Sequence, residues 1–153
     1  MTNNDVLRRL RYTLDYDDQR MMEIFALADR EVSRDQLSKW LKKDNDDDYQ
    51  GIKDKDLASF LNGLITDKRG AKDGEKPIPE IEINNNIILR KLMIAYSMKS
   101  DDVLEILQIA DLRVSKPELS AFFRKPTHRH YRPCKDQILR NFLNGLQEKL
   151  NPA

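Results

Sequence analysis

The sequence predicts an all-α protein made of two tandem repeats of a four-helix unit packed with pseudo-twofold symmetry, and three observations carry that prediction. Laying residues 3–64 onto residues 85–146 needs no gap, and 23 of the 62 aligned positions are identical, far above chance. Apolar residues in each copy recur at helical spacing. The third helix of each copy opens on the same capping signature.

In the first copy, Val6, Leu7, Leu10 and Leu14 mark one face of a first helix, and Met21, Ile24, Phe25 and Ala28 mark a second. Leu37, Trp40 and Leu41 mark a third, and Leu57, Phe60, Leu61 and Leu64 a fourth. The second copy repeats the pattern, most closely in Leu139, Phe142, Leu143, Asn144, Gly145 and Leu146. Asn4 and Asn86 are expected to cap the first helices, and Asp18 and Ser100 the second. Ser33 with Gln36, and Ser115 with Glu118, form capping boxes, with Val32–Leu37 and Val114–Leu119 as hydrophobic staples around them. Pro117 falls in a first turn, where its missing N–H costs little. Gly70, Gly74, Pro77 and Pro79 mark a connector, so the expected organisation is repeat one over 1–65, connector over 66–83 and repeat two over 84–153. Four short helices bury little core alone, so the copies are expected to share an interface.

Charged residues make up 35% and hydrophobic residues 39% of the chain, the balance of a globular protein with solvated outer helix faces. A single cysteine, Cys134, and a polar start without an apolar run point to a reducing, cytoplasmic setting. No stretch approaches the roughly 20 apolar residues that cross a bilayer, so no membrane partner is expected. The net charge of +1 conceals an acidic front and a basic back: residues 85–153 carry 12 Lys and Arg against 7 Asp and Glu.

The loop after the third helix differs most between copies. Its first version holds Asp44, Asp46, Asp47 and Asp48; its second gathers Arg124, Lys125, His128, Arg129, His130, Arg132 and Lys135, a candidate contact for an anion or an acidic partner. A calcium loop is disfavoured, because Tyr49 stands at the glycine position and Lys55 where a bidentate Glu is needed. His128, His130 and Cys134 offer three ligands at cramped spacing, short of a zinc site, and no third group orients a Cys–His pair for catalysis. No metal, cofactor or catalytic residue is assigned. Helices two and three resemble a helix-turn-helix that would present Arg34, Lys39, Lys42 and Lys43, although its turn lacks a glycine and Asp35 would repel phosphate. Gly63 and Gly145 lie inside a helix, where glycine is costly, so a close helix crossing is expected, with Asn62 and Asn144 bonding to backbone and a binding role for the two asparagines as the alternative. Ser33 and Ser115 are read as structural caps.

The paired Asn-Asn starts, the Val-Ser caps, the two Phe-Leu-Asn-Gly-Leu endings and the stretch Pro126, His128, Arg132, Cys134, Asp136, Gln137 together resemble the YehS-like family of small bacterial proteins. The resemblance spans nearly the whole chain and implies a duplicated helical protein of the bacterial cytoplasm; it carries no activity or site residue across. The function expected from the residues is a non-catalytic binding or regulatory module whose partner is a protein, including a second copy of itself. The alternative is a nucleic-acid binder using the basic second copy.

Overall fold

Eight helices and no strand make up the described residues, 1–71, 74 and 76–152, of a computed structural model. In the first repeat these are α1 (Asn3–Leu14), α2 (Asp18–Leu27), α3 (Arg34–Leu41) and α4 (Asp54–Arg69). The second repeat supplies their counterparts α5 (Asn85–Ala95), α6 (Ser100–Ile109), α7 (Lys116–Ala121) and α8 (Asp136–Leu150). The turn after each first helix passes through a left-handed residue, Asp15 (φ 56°) or Ser97 (φ 51°), and the turn after each second helix through Asp29 (φ 59°) or Asp111 (φ 60°). Four such residues at matching positions show that the duplication extends to backbone conformation.

The helix starts differ in part from the sequence reading. Thr2 and Asn84 cap α1 and α5, while Asn4 and Asn86 lie within the first turn, their amides drawn inward to buried backbone groups. Asp17 caps α2 by accepting from Arg20 N at 2.8 Å, so Asp18 is the first helical residue. In α6 Lys99 holds the cap position and Asp102 closes it from inside, accepting from the Lys99 N–H at 2.8 Å. Ser115 and Glu118 form the reciprocal box, whereas Ser33 accepts from Gln36 N at 3.0 Å and the Gln36 amide turns to Gln50 instead. Helix α4 continues to Arg69, four residues into the stretch expected as connector, and ends at Gly70, whose φ of 81° favours glycine.

Within a repeat, α2 lies on α4 and α6 on α8; between repeats, α4 lies on α5 and α8 on α1. The terminal helix of each copy thus packs more closely on the first helix of the other copy than on its own. Both copies feed one continuous apolar core. Phe25 sits at its first-copy centre, 5.6 Å from the Trp40 ring and 5.1 Å from Phe60, and Leu107, Phe122 and Phe142 fill the matching places in the second copy. Trp40 and Phe122 are therefore core residues.

The closest approach occurs at the two helical glycines. A Cβ built on Gly63 would lie 1.9 Å from the Ile24 carbonyl oxygen, and one on Gly145 would lie 2.1 Å from that of Ile106. The atom in the way is backbone, so relief requires separating α2 from α4, or α6 from α8. Gly63→Ala and Gly145→Ala are each expected to cost about 3 kcal/mol in urea unfolding, whereas Gly51→Ala, with nothing within 4 Å of its added carbon, is expected to leave stability nearly unchanged.

Candidate functional site

The loops between α3 and α4 and between α7 and α8 are held by one buried amide each. Asn4 donates through Nδ2 to the carbonyls of Trp40 (2.9 Å) and Gln50 (2.7 Å), and its Oδ1 accepts from Ile52 N (3.1 Å) and the Tyr49 hydroxyl (3.0 Å). Asn86 donates to the carbonyls of Phe122 (3.0 Å) and Arg132 (2.9 Å) and accepts from Cys134 N (2.8 Å). Every backbone partner in one set has its repeat counterpart in the other. These amides satisfy backbone groups that no secondary structure reaches.

From that anchor the two loops run along the same path with opposite charge. Asp46 N donates to Lys43 O and Tyr49 N to Asp46 O; in the second copy His128 N donates to Lys125 O and Tyr131 N to His128 O. Even the side-chain turn is kept: Asp48 N donates to the Asp46 carboxylate at 2.9 Å, and His130 N to Nδ1 of His128 at 3.0 Å. The histidine ring does the work of the aspartate.

Arg124, Lys125, His128, Arg129, His130, Arg132 and Lys135 are all exposed, so the structure brings them together on one surface loop. None of its five Lys and Arg side chains forms an ion pair among the described residues, and neither do Asp44, Asp46, Asp47 or Asp48. Arg132 donates to the carbonyls of Arg129 and Tyr131, and Arg129 Nε to His130 Nε2, which orders the cations without neutralising them. The His128 and His130 rings lie 5.4 Å apart, while Cys134 turns into the core.

The helix-turn-helix-like surface is differently placed. Arg34 pairs with Asp18 at 3.4 Å and Lys39 with Asp35 at 3.2 Å, leaving Lys42 and Lys43 at the end of α3 beside the acidic loop. Its counterpart α7 is six residues long.

Sequence reasoning missed a second basic site, a groove of about 450 Å³ between α1 and α8, lined by Arg8, Arg9, Tyr12, Thr13, Arg140 and Asn144 with Met1 and Asp5. Arg8 pairs with Asp5. The Met1 ammonium reaches Asp136 at 2.6 Å; with Asn85 also donating at 2.8 Å, that contact holds the Asp136 carboxyl below its usual range. Arg9 and Arg140 have no carboxylate partner among the described residues. Arg9 approaches Asn144 Oδ1 at 3.5 Å, and at the repeat-related place Lys91 donates to Asn62 Oδ1 at 2.6 Å. The two asparagines therefore meet cations of the other copy instead of backbone, as the sequence reading had expected. The signal in the sequence was a basic residue at 9 and 91 paired with Asn at 144 and 62.

Asn86→Ala would leave the buried Phe122 carbonyl, the part-buried Arg132 carbonyl and the buried Cys134 N–H unpartnered, and is expected to cost about 3 kcal/mol in chemical unfolding while disordering the basic loop. Burial pushes the Cys134 thiol up from its ordinary 9.0 to about 12, with Asp136 adding to the effect. The folded state keeps this thiol protonated where the unfolded chain has released its proton, so stability falls as pH rises from about 9 towards about 12. In paired unfolding measurements, Cys134→Val is expected to show a shallower decline than wild type over that range.

The family model described as "Protein of unknown function (DUF1456)" matches the chain twice, over residues 3–70 and 85–150. The chain is 47% identical over 148 residues to "Uncharacterized protein YehS" of Escherichia coli (strain K12), covering 95% of this chain and 94% of that protein. No solved structure matches it.

Proposed function

We infer that this chain, which belongs to the DUF1456 family, is a non-catalytic module that binds protein, with the acidic loop of one copy meeting the basic loop of another. The observation supporting the reading is that two loops of matching backbone carry opposite charge left uncompensated among the described residues. Exposed unpaired charges contribute little to folding, but opposed across an interface they set orientation and accelerate encounter. A twofold pair can join both acidic–basic contacts at once and close, whereas a contact made by one loop from each molecule leaves one of each free. Such a contact is heterologous and extends into longer assemblies unless the rotation closes a ring. No helix among the described residues is long and apolar enough to cross a membrane, which is consistent with a partner other than a bilayer.

The second reading, nucleic-acid binding, is favoured by the same five cations, unpaired among the described residues, with exposed histidines between them. It is opposed by the acidic loop beside α3 and by the ion pairs that occupy Arg34 and Lys39.

Sedimentation of the full chain separates the two. Association is expected at about 0.05 M salt and not at about 0.5 M, where screening shortens the reach of charge. Arg129→Gln with Arg132→Gln, and separately Asp46→Asn with Asp47→Asn, should each remain monomeric alone and form a one-to-one dimer when mixed, because each neutralised loop ends the assembly. A wild type that stays monomeric at low salt would remove the self-association reading. Tight duplex DNA binding with a steep salt dependence, lost in the Arg129→Gln, Arg132→Gln variant, would install the second reading in its place.

A further inference from the structure

We propose that the open groove between α1 and α8 binds a carboxylate-bearing segment of a partner protein, as the connector's own Glu80 meets Lys91, the repeat counterpart of Arg9, beside α4. The repeat places Arg9 on Lys91 and Asn144 on Asn62. On the connector side, the Glu80 carboxylate lies 3.0 Å from Lys91 Nζ, which also donates to Asn62 Oδ1 at 2.6 Å. Lys91 is left 11% exposed along its side chain, and Asn62 is 3% exposed. The stretch of connector that delivers Glu80 is fixed at both ends, by Lys76 on Asp29 at 2.8 Å and by Ile83 N donating to Asp54 at 3.0 Å. A carboxylate brought by a passing segment to a cation that an asparagine Oδ1 holds in place is therefore an arrangement this fold already makes once.

On the other side the same pair is uncovered. Asn144 is exposed, Arg9 touches it only at 3.5 Å, and the groove holds about 450 Å³ of space. Arg140 stands there where the covered side has Ala58, so the open groove carries more positive charge than its filled counterpart. Arg9 and Arg140 form no ion pair among the described residues, Arg140 only adding to the positive charge that lowers the Asp136 carboxyl, and a guanidinium group meets a carboxylate in planar, two-point geometry. Tyr12, 73% exposed at the rim, offers a flat apolar face to a neighbouring side chain. Asp5 and Asp136 flank the groove, an arrangement that admits a single carboxylate between them but opposes the continuous charge of a polyphosphate backbone. The groove shares no residue with the two loops, so this inference and the loop reading can fail separately.

The test uses the end-capped peptide with the sequence of residues 78–84, titrated into the isotope-labelled full chain and followed by amide chemical shifts. Shifts are expected at Arg9, Tyr12, Thr13, Arg140 and Asn144. Affinity should fall about tenfold for Arg9→Ala with Arg140→Ala, and by a similar factor when both glutamates of the peptide are replaced by glutamine. Should the double variant lose its fold in thermal unfolding, Asn144→Ala at an exposed position provides the same comparison. Absence of shifts up to about 2 mM peptide, well into the weak-binding range, would overturn the proposal, and so would shifts mapping elsewhere. Equal affinity for the glutamine peptide, or an oligonucleotide that fills the groove where the peptide does not, would do the same.

Discussion

Two buried carboxamides hold the loops of this protein in place. Asn4 and Asn86 project from the first turn of the first helix of each copy into the space beneath the loop that joins the third helix to the fourth. That loop is an irregular run with no helical ladder, and its inner carbonyls and amides would otherwise be buried without partners. One amide group with two donors and an acceptor meets them all, which neither an aliphatic nor a charged side chain could do at the same volume. Because the start of α4 or α8 follows directly from this anchored segment, the position of the longest helix in each copy depends on it.

Those long helices then join the copies. Each crosses the second helix of its own copy at a glycine, close enough that the carbonyl of Ile24 or Ile106 occupies the space of a side chain, and each turns its other face to the first helix of the opposite copy. The apolar core is continuous across the pair, so the two halves gain stability by sharing burial that neither has enough residues to achieve alone.

On this symmetric frame the charges have parted company. The two loops keep the same hydrogen bonds while aspartates in one give way to histidine and arginine in the other, and one cation–asparagine pair is roofed by the connector while its twin lies open. Packing keeps most buried positions of the two copies apolar, as in Phe25 and Leu107 or Trp40 and Phe122; solvent imposes no such constraint on the exposed ones. Differences between the halves therefore concentrate where a partner could read them, and they give the molecule a polarity that its backbone lacks.

The sequence by itself determined the helix number, the register of the duplication, the third-helix caps and the glycine crossings, because each leaves a local trace in spacing or residue type. It also placed opposite charges on matching loops. It misassigned Asn4 and Asn86 as caps, since an asparagine near a helix start reads the same whether its amide turns to the nearest N–H or to a loop more than thirty residues away. The end of α4 was set too early because a polar helical turn resembles a connector until packing is known. Only the tertiary structure decided which helices of different copies touch, and with them the α1–α8 groove. Arg9, Arg140 and Asn144 are far apart in sequence, and no local periodicity brings residues of opposite repeats to one wall; that depends on how the two halves are folded against each other.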